Sequence, residues 1–298
     1  MLEIQNVNKS YGDRAVLRDV NFTVGHGRMT GFVGGNGAGK TTTMRIILGV
    51  LAPDSGSVSL GGSPLTEADR RRFGYMPEER GLYPKMKVQE QLVYLARLHG
   101  FTAAAANRNA SALLEQLGLG ERSNDTVESL SLGNQQRAQI AAALVHNPEV
   151  LVLDEPFSGL DPMAVDVVLG VLQSHAASGA PVLFSSHQLD IVERLCDDLV
   201  VIADGQIRAN GSVEALRREH GSSRHEILLG SGSTPGDAGW LRDVPGVNVI
   251  DFDGGYALFE ASEDARAAVL SRAVQNGNLV SFGPHEPSLA QVFREVIR

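Results

Sequence analysis

Apolar and polar positions alternate through residues 2–24, where Leu2, Ile4 and Val7, then Val16, Leu17, Val20, Phe22 and Val24, mark half-buried antiparallel strands. The apolar run Met29–Val33 predicts a fully buried strand. Met44, Ile47, Leu48 and Leu51 follow at helical spacing and predict a helix over residues 42–50. Residues 88–119 are helical in pattern, with Leu92, Leu95, Leu98, Leu113, Leu114 and Leu117 at three- and four-residue intervals, and read as an inserted helical lobe. Glycine and a Ser-Asn-Asp cluster break the pattern at residues 118–125; it resumes over 133–146 and ends at Asn147-Pro148. Strands at 150–154, 181–185, 199–203 and 206–209 then alternate with helices at 162–177 and 188–196. That order implies a mostly parallel sheet covered on both faces.

The chain changes character near Gly221, where Gly-Ser-Ser follows a charged helix, and a second loose stretch spans residues 230–239. A domain boundary is therefore expected at about residue 220, separating a large domain, 1–220, from an accessory domain, 221–298. The latter shows strands at 226–229, 247–252, 256–260 and 279–282 and helices at 263–275 and 288–297, a small α+β unit.

The turn after the first buried strand carries the clearest chemistry. Residues 34–41 read Gly-Gly-Asn-Gly-Ala-Gly-Lys-Thr, a full match to the phosphate-binding loop (P-loop), with a strand before it and a helix after it. Glycines let backbone N–H groups curl around phosphate oxygens, and the helix that follows turns its positive dipole end toward the anion. Lys40 then reaches the β- and γ-phosphates and Thr41 offers a hydroxyl to Mg²⁺, so the chain is expected to bind a nucleoside triphosphate. Residues 150–155, Val-Leu-Val-Leu-Asp-Glu, end a buried strand in two carboxylates at the sheet edge from which the phosphate loop also emerges. Asp154 suits Mg²⁺ and Glu155 suits orienting or deprotonating an attacking water.

With 298 residues and 43% apolar content, the chain can hold one large domain and a small one. No segment approaches the roughly 18–20 apolar residues of a membrane span, and the N-terminus lacks the basic-then-apolar order of a secretory signal. A single cysteine, Cys196, cannot form an internal disulfide, which suits a reducing cytosol; it reads as a small buried residue. The formal net charge of −9 argues against a broad nucleic-acid-binding face.

Several ordered motifs make residues 1–220 resemble the nucleotide-binding subunit of an ATP-binding cassette (ABC) transporter. Residues 130–136, Leu-Ser-Leu-Gly-Asn-Gln-Gln, are similar to the family's signature segment, although Leu132 stands where glycine is usual and Asn134 where glutamine is usual. Ser131 and Gly133, which the resemblance brings against the γ-phosphate of ATP held by a partner subunit, are retained. Ser158-Gly-Leu-Asp161 matches the loop that crosses the dimer interface, and His187 follows its strand as the family's switch histidine does. Tyr11 lies where the family places an aromatic residue stacked on adenine, and Glu78 stands where it usually has glutamine.

Several assignments follow from the resemblance. It places Tyr11, Gly34, Asn36, Gly37, Ala38, Gly39, Lys40, Thr41, Thr42, Glu78, Ser131, Gly133 and Asp161 at ATP. It gives Thr41, Asp154 and Glu78 to Mg²⁺ and Glu155, His187 and Lys40 to catalysis. The implied fold is an α/β P-loop NTPase core with an N-terminal antiparallel β subdomain and an inserted helical lobe, plus the small C-terminal α+β domain. The implied partners are a second nucleotide-binding subunit, as a homodimer, and a polytopic membrane permease at the cytoplasmic face of the cell membrane. No nucleic acid is expected. Residues 77–84, Pro-Glu-Glu-Arg-Gly-Leu-Tyr-Pro, the Gly-Asn-Gln-Gln signature and the appended domain look like bacterial sodium-extrusion and drug-export subunits. The alternative is a soluble ABC ATPase acting on ribosomes or DNA. Such proteins usually carry two cassettes or long coiled coils between motifs, and neither is present. The C-terminal domain is open to three roles: bracing a dimer, docking a partner or sensing a ligand.

Overall fold

The N-terminal alternation forms β1 (Leu2–Tyr11) and β2 (Arg14–Val24), antiparallel across Gly12-Asp13, with Leu2 opposite Val24 and Ile4 opposite Phe22. The structure, a computed structural model, describes residues 1–79, 81–221, 224–231, 234–276 and 278–297. Contacts divide the chain into two units, Met1–Val213 with Val296–Arg298, and Glu214–Glu295.

In the first unit the buried run becomes β3 (Met29–Val33), and α1 (Lys40–Ile47) follows the glycine loop, starting two residues before the apolar spacing indicates. The chain returns to the first sheet as β4 (Ser55–Leu60) and β5 (Ser63–Pro64), giving the order β2-β1-β4-β5. Neither strand was legible, because β4 is serine- and glycine-rich and buries only Val58 and Ser59. A short α2 (Glu67–Arg70), closed by a Thr66–Asp69 capping box, leads into β6 (Phe73–Met76).

The helical lobe comprises α3 (Val88–Leu98), α4 (Ala103–Gln116) and α5 (Leu132–Leu144). The expected stretch 88–119 is therefore two helices. Gly100, at φ +88°, stops the first, and the Thr102 hydroxyl caps the second by accepting from Ala105 N–H. Then come β7 (Val150–Leu153), α6 (Pro162–Ala177), β8 (Val182–Ser186), α7 (Leu189–Leu195), β9 (Asp198–Ala203) and β10 (Gln206–Ser212). Strand order in the second sheet is β10-β9-β3-β8-β7-β6, parallel except for β10. The α/β expectation holds.

Register fixes the site. Val33 pairs with Ser186, Leu153 with Phe184 and Met76 with Leu153, so β3, β8, β7 and β6 all end along one edge. Their C-terminal loops must converge there. Beneath that edge Ile4, Val20 and Phe22 of one sheet join Phe32, Val152, Leu183 and Val200 of the other, with Met44 and Ile47 of α1, in one core. Burying each such side chain contributes about 1.5–3 kcal/mol.

Two histidines pin the lobe to β6. His99, just past α3, and His146, just past α5, stack with ring centroids 3.7 Å apart. Their ring nitrogens bond the carbonyls of Arg71 (3.0 Å) and Phe73 (3.1 Å). Burial first, then the neighbouring His99, lowers the pKa of His146 from 6.5 to about 4. The folded value lies below the unfolded one, so this contribution is present above pH 6.5 and is lost as pH falls toward 4. It amounts to at most about 3 kcal/mol. Thermal melting should show a loss of Tm over that window in the wild type that His146→Gln reduces; identical pH slopes would refute the assignment.

The second unit contains α8 (Val213–Gly221), which begins one residue before it, then β11 (Arg224–Ser231), β12 (Thr234–Pro235), β13 (Val247–Asp253), β14 (Tyr256–Ala261), α9 (Glu263–Gln275), β15 (Leu279–Pro284) and α10 (Leu289–Val296). β11 lies between β14 and β15, and the sheet buries Ile227, Leu229, Ala257 and Phe259 against Val269 and Ala273 of α9.

Candidate nucleotide-binding site

The loop after β3 has positions that only glycine fills. A Cβ on Gly34 would come within 2.3 Å of the Ile202 carbonyl oxygen, and Gly39 adopts φ +111°, in the left-handed region. The loop closes on itself through Ala38 N–H to the Gly35 carbonyl, and the Thr43 hydroxyl donates to the Gly39 carbonyl at 2.9 Å. Lys40, 8% exposed, donates from Nζ to the carbonyls of Gly34 (2.7 Å) and Gly35 (3.2 Å). Its ammonium is thereby held against the loop.

Asp154, just past the end of β7, is 1% exposed. Its Oδ2 accepts the Thr41 hydroxyl at 2.9 Å, its Oδ1 accepts the Ser185 hydroxyl at 2.5 Å, and its N–H donates to the Met76 carbonyl at 2.8 Å. The carboxylate thus ties α1 to β8, and the main chain of the same residue ties both to β6. Glu155 has φ +52°, a conformation that costs a non-glycine residue about 1–3 kcal/mol. Its neighbours hold it there. Its N–H donates to Ser185 Oγ at 2.8 Å, its carbonyl accepts from Gln136 Nε2 at 3.0 Å, and its Oε2 lies 2.9 Å from His187 Nδ1. The result is a carboxylate aimed from a fixed backbone with an imidazole beside it.

A cavity of about 430 Å³ opens above these groups, lined by Tyr11, Arg14, Val16, Asn36, Gly37, Gly39, Lys40, Thr41, Thr42, Glu78, Asp154 and Glu155. Tyr11 is 53% exposed on its rim, with the Lys9 ammonium 5.9 Å from the ring centroid. Gly34 and Ala38 lie within the loop, buried away from the opening. His187 does not line the cavity; it reaches the site through Glu155. Ser131, Gly133 and Asp161 are not among the lining residues either. Ser131 caps α5, and the Asp161 carboxylate caps α6 by accepting from Ala164 N–H at 2.8 Å. A Cβ on Gly133 would lie 3.5 Å from the Gly159 carbonyl, so the signature segment and residues 158–161 run side by side. Arg80, the last residue of the motif at 74–80, lies outside the described residues.

Sequence reasoning missed four residues. Arg14 lines the cavity beside Tyr11. Ser185 bridges Asp154 and Glu155, and its signal was a polar pair closing an otherwise apolar strand. Gln136 and Gln139 are buried on α5 and bond the main chain around Glu155 and Glu78; polar residues on a buried helix face were the only hint. Cys196 sits against β3, its sulfur 2.7 Å from where a Gly31 Cβ would be, and burial pushes its thiol pKa up. That is the setting of an inert cysteine.

The residues fit a nucleotide with its metal. A hydroxyl and a carboxylate already touching, beside a lysine at a glycine-only curve of backbone, form a hard-oxygen donor set next to an anion cradle.

Known proteins agree with the class this geometry defines. A family profile for the ABC transporter matches residues 17–158, and one for the "ATP-binding protein DrrA1-3-like, C-terminal domain" matches residues 211–297. The chain is 38% identical over 298 residues to the uncharacterized ABC transporter ATP-binding protein YhaQ of Bacillus subtilis, covering 100% of this chain and 98% of that protein. It is 32% identical over 301 residues to the linearmycin resistance ATP-binding protein LnrL of the same organism, covering 98% and 97%. A solved ATP-binding subunit of an ABC transporter superposes with TM-score 0.69 at 35% identity, over 74% of this chain and 93% of that one. The chain belongs to the ABC transporter ATP-binding proteins and is an ATP-binding ATPase of that family.

Proposed function

We propose that this ATPase powers a separate polytopic membrane permease that exports drugs or ions, working as a pair of identical subunits at the cytoplasmic face of the cell membrane. The observation that carries the reading is the chain of contacts Thr41–Asp154–Ser185–Glu155–His187 beside Lys40, a hydrolytic centre built on one sheet edge. Among the described residues no helix is long and apolar enough to cross a membrane, so the membrane path is assigned to another chain. LnrL is named for resistance to a compound and matches both units, which supports export.

In this reading Lys40 and the loop amides bind the phosphates, and Tyr11 stacks on the base. Thr41, Asp154 and Glu78 would hold Mg²⁺, which supplies neutralisation of the phosphate charge. Glu155 takes the proton of the attacking water and His187 keeps its carboxylate aimed. Ser131, Gly133 and Asp161 serve the ATP of the second copy, which accounts for their position outside the Lys40 cavity. Residues 1–220 are proposed as the cassette and 221–298 as its accessory domain.

The test is purification from mildly detergent-solubilised membranes. A stoichiometric polytopic protein that changes the ATPase rate is expected; ribosomal or DNA-bound partners without one would overturn the proposal. Glu78→Gln tests the metal assignment. Losing one carboxylate charge near Mg²⁺ should raise the Mg²⁺ concentration for half-maximal hydrolysis about fivefold, from roughly 1 kcal/mol of screened attraction. Unchanged metal dependence with unchanged coupling would count against it.

A further inference from the structure

The helix that begins with the signature residues also grips the hydrolytic apparatus of its own chain. α5 carries Ser131 as its N-cap and Gly133 in its first turn. Gln136 and Gln139, one turn apart on the same face, are both buried. Gln136 Nε2 donates to the carbonyls of Glu155 and Pro156, each at 3.0 Å. Gln139 Nε2 donates to the carbonyls of Pro77 (2.7 Å) and Glu79 (3.1 Å), the residues on either side of Glu78. Each amide therefore spans two main-chain oxygens of a different loop, and both loops supply residues to the Lys40 cavity.

We propose that Gln136 and Gln139 are positioning residues that couple the two nucleotide sites of the paired ATPase. The proposal rests on the reading above, in which Ser131 and Gly133 meet the partner's ATP while Glu155 and Glu78 serve the chain's own. One rigid helix then spans two sites. From Ser131 to Gln139 the distance along its axis is about 12 Å. A shift of its N-terminus on engaging the partner's ATP carries both amides with it. Glu155 is the residue most sensitive to such a shift, because its left-handed backbone is held by Ser185 at one end and Gln136 at the other. Occupation of one site thus sets the aim of the carboxylate in the other, and the relation is reciprocal.

Gln136→Met keeps the length of the side chain and removes the donor to the Glu155 carbonyl; Gln139→Met does the same at the loop around Glu78. The readouts are the Hill coefficient of steady-state hydrolysis against ATP concentration and, on a Glu155→Gln background, ATP-dependent pairing by light scattering. The wild type is expected to be sigmoidal, with a Hill coefficient approaching the limit of about 2 for two sites. Both variants should show a coefficient well below that of the wild type, with measurable turnover and pairing retained. A merely structural amide would change the rate and leave that coefficient where it was. An unchanged coefficient in both variants, or a hyperbolic wild type that nevertheless pairs, would overturn the coupling alone. Failure of Glu155→Gln to pair with ATP would overturn both the coupling and the paired reading beneath it.

Discussion

Glu155→Gln is expected to lower ATP turnover by about 10²- to 10⁴-fold while ATP binding persists. In the proposed mechanism this carboxylate accepts the proton of the attacking water, and an amide of the same shape cannot accept it. The rest of the site should stay in place. Ser185 and Gln136 bond the main chain of residue 155 rather than its side chain, and His187 can meet an amide oxygen as it meets Oε2. Asp154, with its own partners in Thr41 and Ser185, is untouched. Phosphate release, measured with bound ATP counted on the same sample, checks the expectation. Turnover within a few-fold of the wild type would remove Glu155 from the chemistry.

Lys40→Ala should abolish binding instead. A single ammonium about 4 Å from a phosphate charge contributes roughly 4 kcal/mol at the effective dielectric of a partly exposed site, or about a thousandfold in affinity. The same change leaves the Gly34 and Gly35 carbonyls without their ammonium partner, so the loop also loses part of what shapes it. Titration with ATP followed by calorimetry separates the two variants. Lys40→Ala should show no saturable binding at concentrations that saturate Glu155→Gln, and equal affinities would sink the role given to Lys40.

What lies in consecutive residues was legible in the sequence. The phosphate loop and the strand ending in Asp154 and Glu155 are local patterns, each set by backbone geometry over a few residues. What lies across strands was not. Nothing in the order of residues says that the Ser185 hydroxyl meets Asp154, because that contact depends on β8 lying beside β7 in a particular register. The left-handed backbone at Glu155 is likewise set by tertiary bonds against its residue preference. Gln139 is a polar residue in an apolar helix, and only the tertiary path of the loop around Glu78 gives its amide two carbonyls to bond. Helical spacing over residues 88–119 was right in type, and the turn at Gly100 that divides it into two helices leaves no mark in leucine periodicity.

The position of Ser131, Gly133 and Asp161 away from the Lys40 cavity is the feature that most needs a second molecule. Light scattering of Glu155→Gln with ATP and Mg²⁺ tests this directly. ATP should bring the protein to twice the monomer mass and its omission should leave the monomer, and Ser131→Arg, which places a bulky cation on the signature segment, should return the ATP-bound protein to the monomer. A Glu155→Gln protein that binds ATP and stays monomeric at every concentration would contradict the pairing.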